Sequence, residues 1–282
     1  MSPTLQIATM SAAEVGFAID LAAAEGWNPG LNDAAAFHAA DPGGFLVGRI
    51  DGQPLGCISA VSYAGRLGFI GLYIVLPAWR GKGHGIALWR AGMARLAGHN
   101  VGLDGVLAQQ DNYRRSGFRM AYSNVRFERT GPLPAADMHG VVGAADVPFA
   151  QLHAYDQRVF ATEREAFLRG WLAPADGAAL AFVADGAIRG YGVIRRCRRG
   201  CKIGPLFADA PEIAERLYLA LCRRAGDAGP VYLDVPEVSA AALRLAEKFG
   251  MQQVFGTARM YTGEPPPIPL DHVFGVTTFE LG

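Results

Sequence analysis

Apolar and polar positions along the chain fall into short blocks whose period changes repeatedly. Residues 5–10 form a brief apolar run that predicts a strand, and residues 12–24 and 33–40 read as helices. Residues 45–50 and 55–62 are apolar runs joined at Asp51-Gly52, a dipeptide that favours a tight hairpin. Residues 69–76 make a further strand, stopped by Pro77, which has no N–H to donate to a ladder. Ile86, Trp89, Met93 and Leu96 recur at steps of three and four. That spacing predicts a helix over 83–97 with one buried face, ended by Gly98. A strand at 101–107, a short helix at 111–116 and a closing strand at 120–127 follow.

Residues 129–140 contain Gly131, Pro132, Pro134 and Gly140 with little periodicity, the composition of a linker. Beyond it the spacing repeats. Asp185-Gly186 with Gly190 mirrors Asp51-Gly52 with Gly56, and the runs at 180–184 and 191–194 are again strands. Gly204 answers Gly71, and a helix at 212–224 stands where 83–97 stood. Val231-Tyr232-Leu233-Asp234 answers Val101-Gly102-Leu103-Asp104, and Gly250-Met251 answers Gly117-Phe118. Five ordered correspondences indicate a duplicated unit. The expected organisation is residues 1–130, a linker at 131–140, and residues 141–282. Each unit is expected to be mixed α/β: a twisted, mainly antiparallel sheet flanked by helices.

Composition narrows the picture only in part. With 282 residues, two units of about 140 could each bury a core. Net charge is zero, which gives no global electrostatic case for nucleic acid or an anionic membrane. The start, Met-Ser-Pro-Thr-Leu-Gln, lacks a basic region and apolar core, and no run of about 18 apolar residues occurs, so a soluble cytoplasmic protein is expected. Cys57, Cys197, Cys201 and Cys222 match no zinc spacing and read as reduced structural thiols, and the scattered histidines show no metal pattern. No metal is expected.

The chemistry concentrates in Arg80-Gly81-Lys82-Gly83-His84-Gly85. A glycine loop leading into a helix offers unpaired backbone N–H groups and a positive dipole end, and glycines let a diphosphate approach without meeting a Cβ. A nucleotide P-loop would have Ser or Thr after Lys82, where Gly83 stands. A dinucleotide site would have its glycines directly after the first strand of the sheet. The second unit has Ala210-Pro211-Glu212-Ile213-Ala214-Glu215 there, and two acids at a helix start would repel a phosphate.

The segment from Val75 to Gly85 resembles the coenzyme A signature of the GNAT acetyltransferase superfamily. Asn112-Tyr113-Arg114-Arg115-Ser116-Gly117-Phe118 resembles that superfamily's later Tyr-x-x-x-Gly-Phe element. The second half resembles the degenerate GNAT-like domain of tandem members. The resemblance implies acetyl-CoA as cofactor, with pantetheine along the strand near Ile74 and Val75. It implies pyrophosphate held by backbone N–H groups from Arg80 through Gly81, Lys82, Gly83, His84 and Gly85 to Ile86. Tyr113 matches the tyrosine that hydrogen-bonds the departing thiolate. Full proton transfer from a phenol of pKa about 10 to a thiolate of about 8.5 is uphill by roughly 2 kcal/mol, so a hydrogen bond is the expected role.

The acceptor is expected to be a primary amine on a small molecule, and its ammonium must lose a proton. Many relatives use an acid on the strand before the loop, but residues 69–76 contain none. Glu25, Asp111, a water relay or direct attack by a desolvated amine stay open. Glu25, Trp27, Asn28, Tyr63, Tyr73 and Asn124 are candidates to line the acceptor pocket. Competing readings are a non-catalytic acyl-CoA sensor and a protein lysine acetyltransferase. Arg195, Arg196, Arg198, Arg199 and Lys202 crowd a hairpin tip; a solvated end is the ordinary reading, with an anionic acceptor, the coenzyme 3′-phosphate or nucleic acid as alternatives. The second unit lacks the glycine loop and has Ala246 where Tyr113 would be. It is expected to be inactive and to shape the acceptor cleft or a homodimer.

Overall fold

The computed structural model describes residues 4–135, 137–226 and 229–282. Met1, Ser2 and Pro3 of the N-terminal reading, and Ala136 of the expected linker, lie outside the described residues. The first half runs β1 (Gln6–Thr9), α1 (Val15–Ala24), α2 (Asp33–Ala40), β2 (Phe45–Ile50), β3 (Gln53–Tyr63), β4 (Leu67–Val75), α3 (His84–Arg95), β5 (Asn100–Val106), α4 (Gln110–Arg115) and β6 (Arg119–Arg129). The second runs β7 (Val141–Gly143), α5 (Phe149–Phe160), α6 (Glu165–Trp171), β8 (Gly177–Ala184), β9 (Ala187–Arg196), β10 (Cys201–Ala208), α7 (Pro211–Ala225), β11 (Val231–Pro236), α8 (Ala240–Lys248), β12 (Gln252–Tyr261) and β13 (Val273–Gly275). Both expected hairpins turn where they should. Asp51 and Gly52, then Asp185 and Gly186, all take positive φ, the geometry that matches a tight turn to strand twist.

The strands do not form two separate sheets. They join in one, ordered β1-β2-β3-β4-β5-β12-β6-β11-β10-β9-β8-β7, with β13 paired to β10. Among the described residues only β4–β5 and β10–β11 are parallel. The last long strand of each half crosses into the other: β12 lies between β5 and β6, and β6 lies between β12 and β11. An approximate twofold axis therefore passes between β6 and β12, where Phe255 opposes Arg126 and Arg259 opposes Tyr122.

Buried side chains knit the exchange together. Arg259 of β12 holds Asp104 of β5 through two bonds of 2.9 and 2.6 Å, and Arg126 of β6 holds Asp234 of β11 through two of 2.6 and 2.7 Å. Each aspartate thus finds its arginine in the opposite half. One face of the sheet carries a core shared by α1, α2, α5 and α6, with Phe37 stacked on Trp171 at 5.9 Å. On the other face α3 covers the first half's strands through Leu88 and Trp89, while α7 and α8 cover the second's through Leu217, Leu221 and Leu245.

The basic hairpin after β9 is not a solvated tip. Arg195 is buried against Asp33, Arg198 reaches Asp20, and Arg199 pairs with Glu128 while its backbone exchanges two hydrogen bonds with Asn28. The cluster is dense because this hairpin docks the second half onto acids of the first. All four cysteines are buried and free.

Candidate active site

A cavity opens where the parallel pairing of β4 and β5 stops. The two strands are registered from Leu67↔Asn100 to Ile70↔Leu103, and beyond that point each continues without the other. The divergence has a local cause. Opposite β3, Cys57 pairs with Ile74 but Ser59 with Gly71, so two residues of β4 face one of β3. Leu72 takes a positive φ there. A bulge of this kind bends a strand away from its neighbour. The resulting cavity is about 780 Å³ and is lined by β4 from Ile70 to Val75 and by β5 from Leu103 to Val106.

At one end the loop between β4 and α3 forms a cradle. Gly81 and Gly83 both have positive φ, and Gly83 caps α3, so glycine is required for the turn that aims the first N–H groups of the helix outward. Ile74, Val75, Arg80, Gly81, Gly85 and Ile86 line the cavity. Lys82 instead lies over Trp79, 5.2 Å from the ring centroid, and His84 contacts the same ring. Arg80 turns back to donate to the Val75 carbonyl at 2.7 Å and pairs with Glu25.

Tyr113 lines the opposite wall, seated beside Trp89 at 5.7 Å. Its ring occupies the space a side chain at 105 would need: a Cβ there would stand 2.3 Å from the Tyr113 ring, which explains Gly105. Burial pushes the phenol up to about 12, with Tyr73 adding to the rise. Proton transfer to a thiolate of pKa about 8.5 would then be uphill by roughly 5 kcal/mol, so the group is suited to donating a hydrogen bond.

Of the expected acceptor residues, Glu25, Trp27 and Tyr73 line the cavity. Asn28 is engaged by Arg199, and Tyr63 is buried with its hydroxyl donating to the Leu281 carbonyl at 2.9 Å. Asn124 sits behind the wall and donates to Asp104 at 2.8 Å. Asp111 pairs with Arg114 on the surface of α4.

Several lining residues come from the second half, and the first half's own pattern could not reveal them. Phe255 and Thr257 arrive on β12, and Phe279 and Glu280 on the C-terminal tail. The tail takes a defined path. In the second half β10 and β11 diverge after Ile203↔Leu233, mirroring β4 and β5, with a matching bulge at Gly204-Pro205. There β13 pairs with β10, and the Val276 N–H donates to Asp234 O at 2.8 Å. The second cleft is thus filled by the chain's own strand. The tail then crosses to the first half. A Cβ at Gly204 would meet the Thr277 carbonyl oxygen at 2.3 Å, and one at Gly71 would meet that of Glu280 at 2.0 Å. The two glycines that mark the repeat are the two places where the tail lies against a bulge.

Comparison with known proteins agrees with this architecture. Residues 15–118 match the model of the acetyltransferase (GNAT) family, and residues 152–275 match a second acetyltransferase (GNAT) domain model. The holothin acyltransferase of Pseudoalteromonas sp. is 26% identical over 261 residues, covering 93% of this chain and 89% of that one. The structure of a candidate acetyltransferase from Pyrococcus horikoshii superposes with a TM-score of 0.82 at 23% identity, covering 99% and 96% of the two chains. A tandem GNAT protein from the clavulanic acid biosynthesis pathway superposes with a TM-score of 0.65 at 15% identity, covering 93% and 100%. The fold is that of these acetyltransferase structures. The chain belongs to the GNAT acetyltransferase family and carries its domain twice.

Proposed function

We propose that this protein is an acyl-CoA-dependent N-acyltransferase that moves an acetyl group from acetyl-CoA to a primary amine on a small molecule, with catalysis in the first half and none in the second. The observation that carries this reading is the single cavity that runs from the glycine loop, along the unpaired edge of β4, to Tyr113. Pantetheine would add to that edge as a strand does, through backbone groups near Ile74 and Val75. The first turn of α3, with Gly81, Gly83 and Gly85 before and within it, would hold the pyrophosphate. A backbone N–H on the bulged part of β4 would polarise the thioester oxygen as the tetrahedral centre forms. Tyr113 would steady the thiolate as it leaves.

Trp27, Phe255 and Phe279 give the acceptor end of the cavity an apolar wall, which suits an amine carried on a compact apolar body. The near full-length likeness to a holothin acyltransferase supports a compound rather than a protein as acceptor. In the second half β13 pairs with β10 at the cleft and α7 begins with Pro211-Glu212, an occupied edge and an acidic helix start that support the absence of a coenzyme there. Calorimetry with CoA and acetyl-CoA, followed by thiol release across a panel of amines, tests the proposal. Micromolar to sub-millimolar binding with amine-dependent release is expected. No uptake at millimolar ligand would overturn it, and binding without turnover on any amine would make the protein an acyl-CoA sensor.

A further inference from the structure

Three carboxylates line the cavity: Glu25, Asp104 and Glu280. Glu25 is committed to Arg80 at the coenzyme end. Asp104 is saturated, because Oδ1 accepts from Arg259 Nε at 2.9 Å and Asn124 Nδ2 at 2.8 Å while Oδ2 accepts from Arg259 Nη2 at 2.6 Å. Glu280 differs from both. It is 4% exposed, yet among the described residues its carboxylate accepts no hydrogen bond and forms no ion pair within 4.0 Å. Its backbone lies against Gly71, on the bulge at which β4 leaves β5. Its oxygens are not among the fully enclosed polar atoms left without a partner, so they open onto the cavity that Glu280 lines, where their lone pairs are available to a ligand.

We propose that Glu280, delivered across the molecule by the C-terminal tail, is the group that takes the proton from the acceptor amine. This rests on the acyl-transfer reading above. The acceptor enters as its ammonium, hydrogen-bonds to Glu280 and gives it one proton. The freed nitrogen lone pair attacks the thioester carbonyl, the C–N bond forms and the C–S bond breaks. The second nitrogen proton passes to the leaving thiolate, which Tyr113 hydrogen-bonds, and Glu280 returns its proton to solvent as the amide departs. The net change is ammonium plus thioester to amide, thiol and one proton.

The charged groups around Glu280 fit that task. Arg126 on β6, Arg195 on β9 and Lys202 on β10 act on it electrostatically from the side of the second half. Arg126 and Arg195 are themselves tied to Asp234 and Asp33, and among the described residues Lys202 hydrogen-bonds only to the Trp27 carbonyl, at 3.5 Å. Glu25, the Arg259-bound Asp104, Arg80 and Arg115 are the other charged residues lining the cavity. None of these cations forms a hydrogen bond or ion pair with the Glu280 carboxylate among the described residues, so its lone pairs stay available to a ligand.

The test compares wild type with Glu280→Gln on a protein that binds CoA. General base catalysis typically contributes about 10²–10⁴-fold, so kcat/KM for an alkylamine should fall by at least about 100-fold while CoA affinity stays within about threefold. The decline in rate on the acid side should vanish from the pH profile. With an arylamine, already neutral at the assay pH, the loss should shrink to about tenfold or less, since less of the barrier is deprotonation. Should Glu280→Gln fail to fold, pairing it with Lys202→Met restores the local charge balance, and the same losses are expected. A folded, CoA-binding variant that keeps kcat/KM within threefold and retains the acid limb overturns the proposal. Equal losses for alkylamines and arylamines also overturn it. A wild type that neither binds CoA nor releases thiol refutes the acyl-transfer reading instead.

Discussion

The two halves of this protein carry the same strand divergence and use it in opposite ways. In the first half, β4 and β5 part at a bulge and leave a cavity of about 780 Å³ beside a glycine-rich helix start. In the second, β10 and β11 part at the equivalent bulge, but β13 fills the gap and the helix opens with Pro211 and Glu212. A divergence of parallel strands exposes backbone donors and acceptors that something must satisfy. One copy leaves that edge open to the cavity, while the other satisfies it with its own chain and so anchors the tail that lines the open cleft. The same divergence is thus left open in one copy and closed by the chain itself in the other.

Removing the second half should break the comparison most severely. A chain ending near residue 140 leaves β6 without β11 and β12, strips β5 of its neighbour and removes Phe279 and Glu280. We expect an insoluble or unfolded product by circular dichroism. A soluble, folded fragment that binds acetyl-CoA would mean that the strand exchange is dispensable.

The crossed arginine–aspartate pairs give a quantitative version of the same question. Arg259→Met strands Asp104, and Arg126→Met strands Asp234, each carboxylate fully buried. Loss of one partner of a buried pair costs about 3–5 kcal/mol. Urea unfolding should therefore show similar large losses for both variants, and a loss confined to one would show that the approximate twofold axis is not energetically symmetric.

Tyr113→Phe should lower kcat by about 10²-fold, the scale of losing one hydrogen-bond donor at a developing anion, with little change in KM for acetyl-CoA. Ala246, its counterpart in the second half, should tolerate Tyr or Ser without any gain of activity. The wild-type phenol also carries a pH signature. Its folded pKa, about 12, lies above that of an unfolded phenol, about 10. The stability it contributes is complete below pH 10 and is lost as pH rises towards 12, and this increment should be missing from Tyr113→Phe in alkaline unfolding curves.

The smallest expected effect is at the glycine loop between β4 and α3. Gly83→Val forces a β-branched residue into positive φ, a strain of about 1–3 kcal/mol, and should weaken CoA binding by about tenfold in calorimetry. Glu212→Gln, at the corresponding helix start, should leave CoA affinity unchanged.

Local chemistry made a large part of this structure legible in the sequence. The Asp-Gly hairpins, the stop at Pro77, the periodic face of α3 and the glycine loop each act over a few residues, so their patterns predict elements close to those observed. The duplication was readable for the same reason: Gly71 and Gly204, or Asp104 and Asp234, answer each other at constant spacing. Those patterns also suggested two units joined by a linker. Which half a strand completes is decided by pairing across more than a hundred residues, and no local pattern encodes it. The exchange of β6 and β12, the docking of the basic hairpin and the crossed ion pairs exist only once both halves fold together. Glu280 is the clearest case. In the sequence it is one acid near the end of an ordinary apolar tail; the bulges at Gly71 and Gly204 steer that tail across the molecule and bring the carboxylate into the cavity.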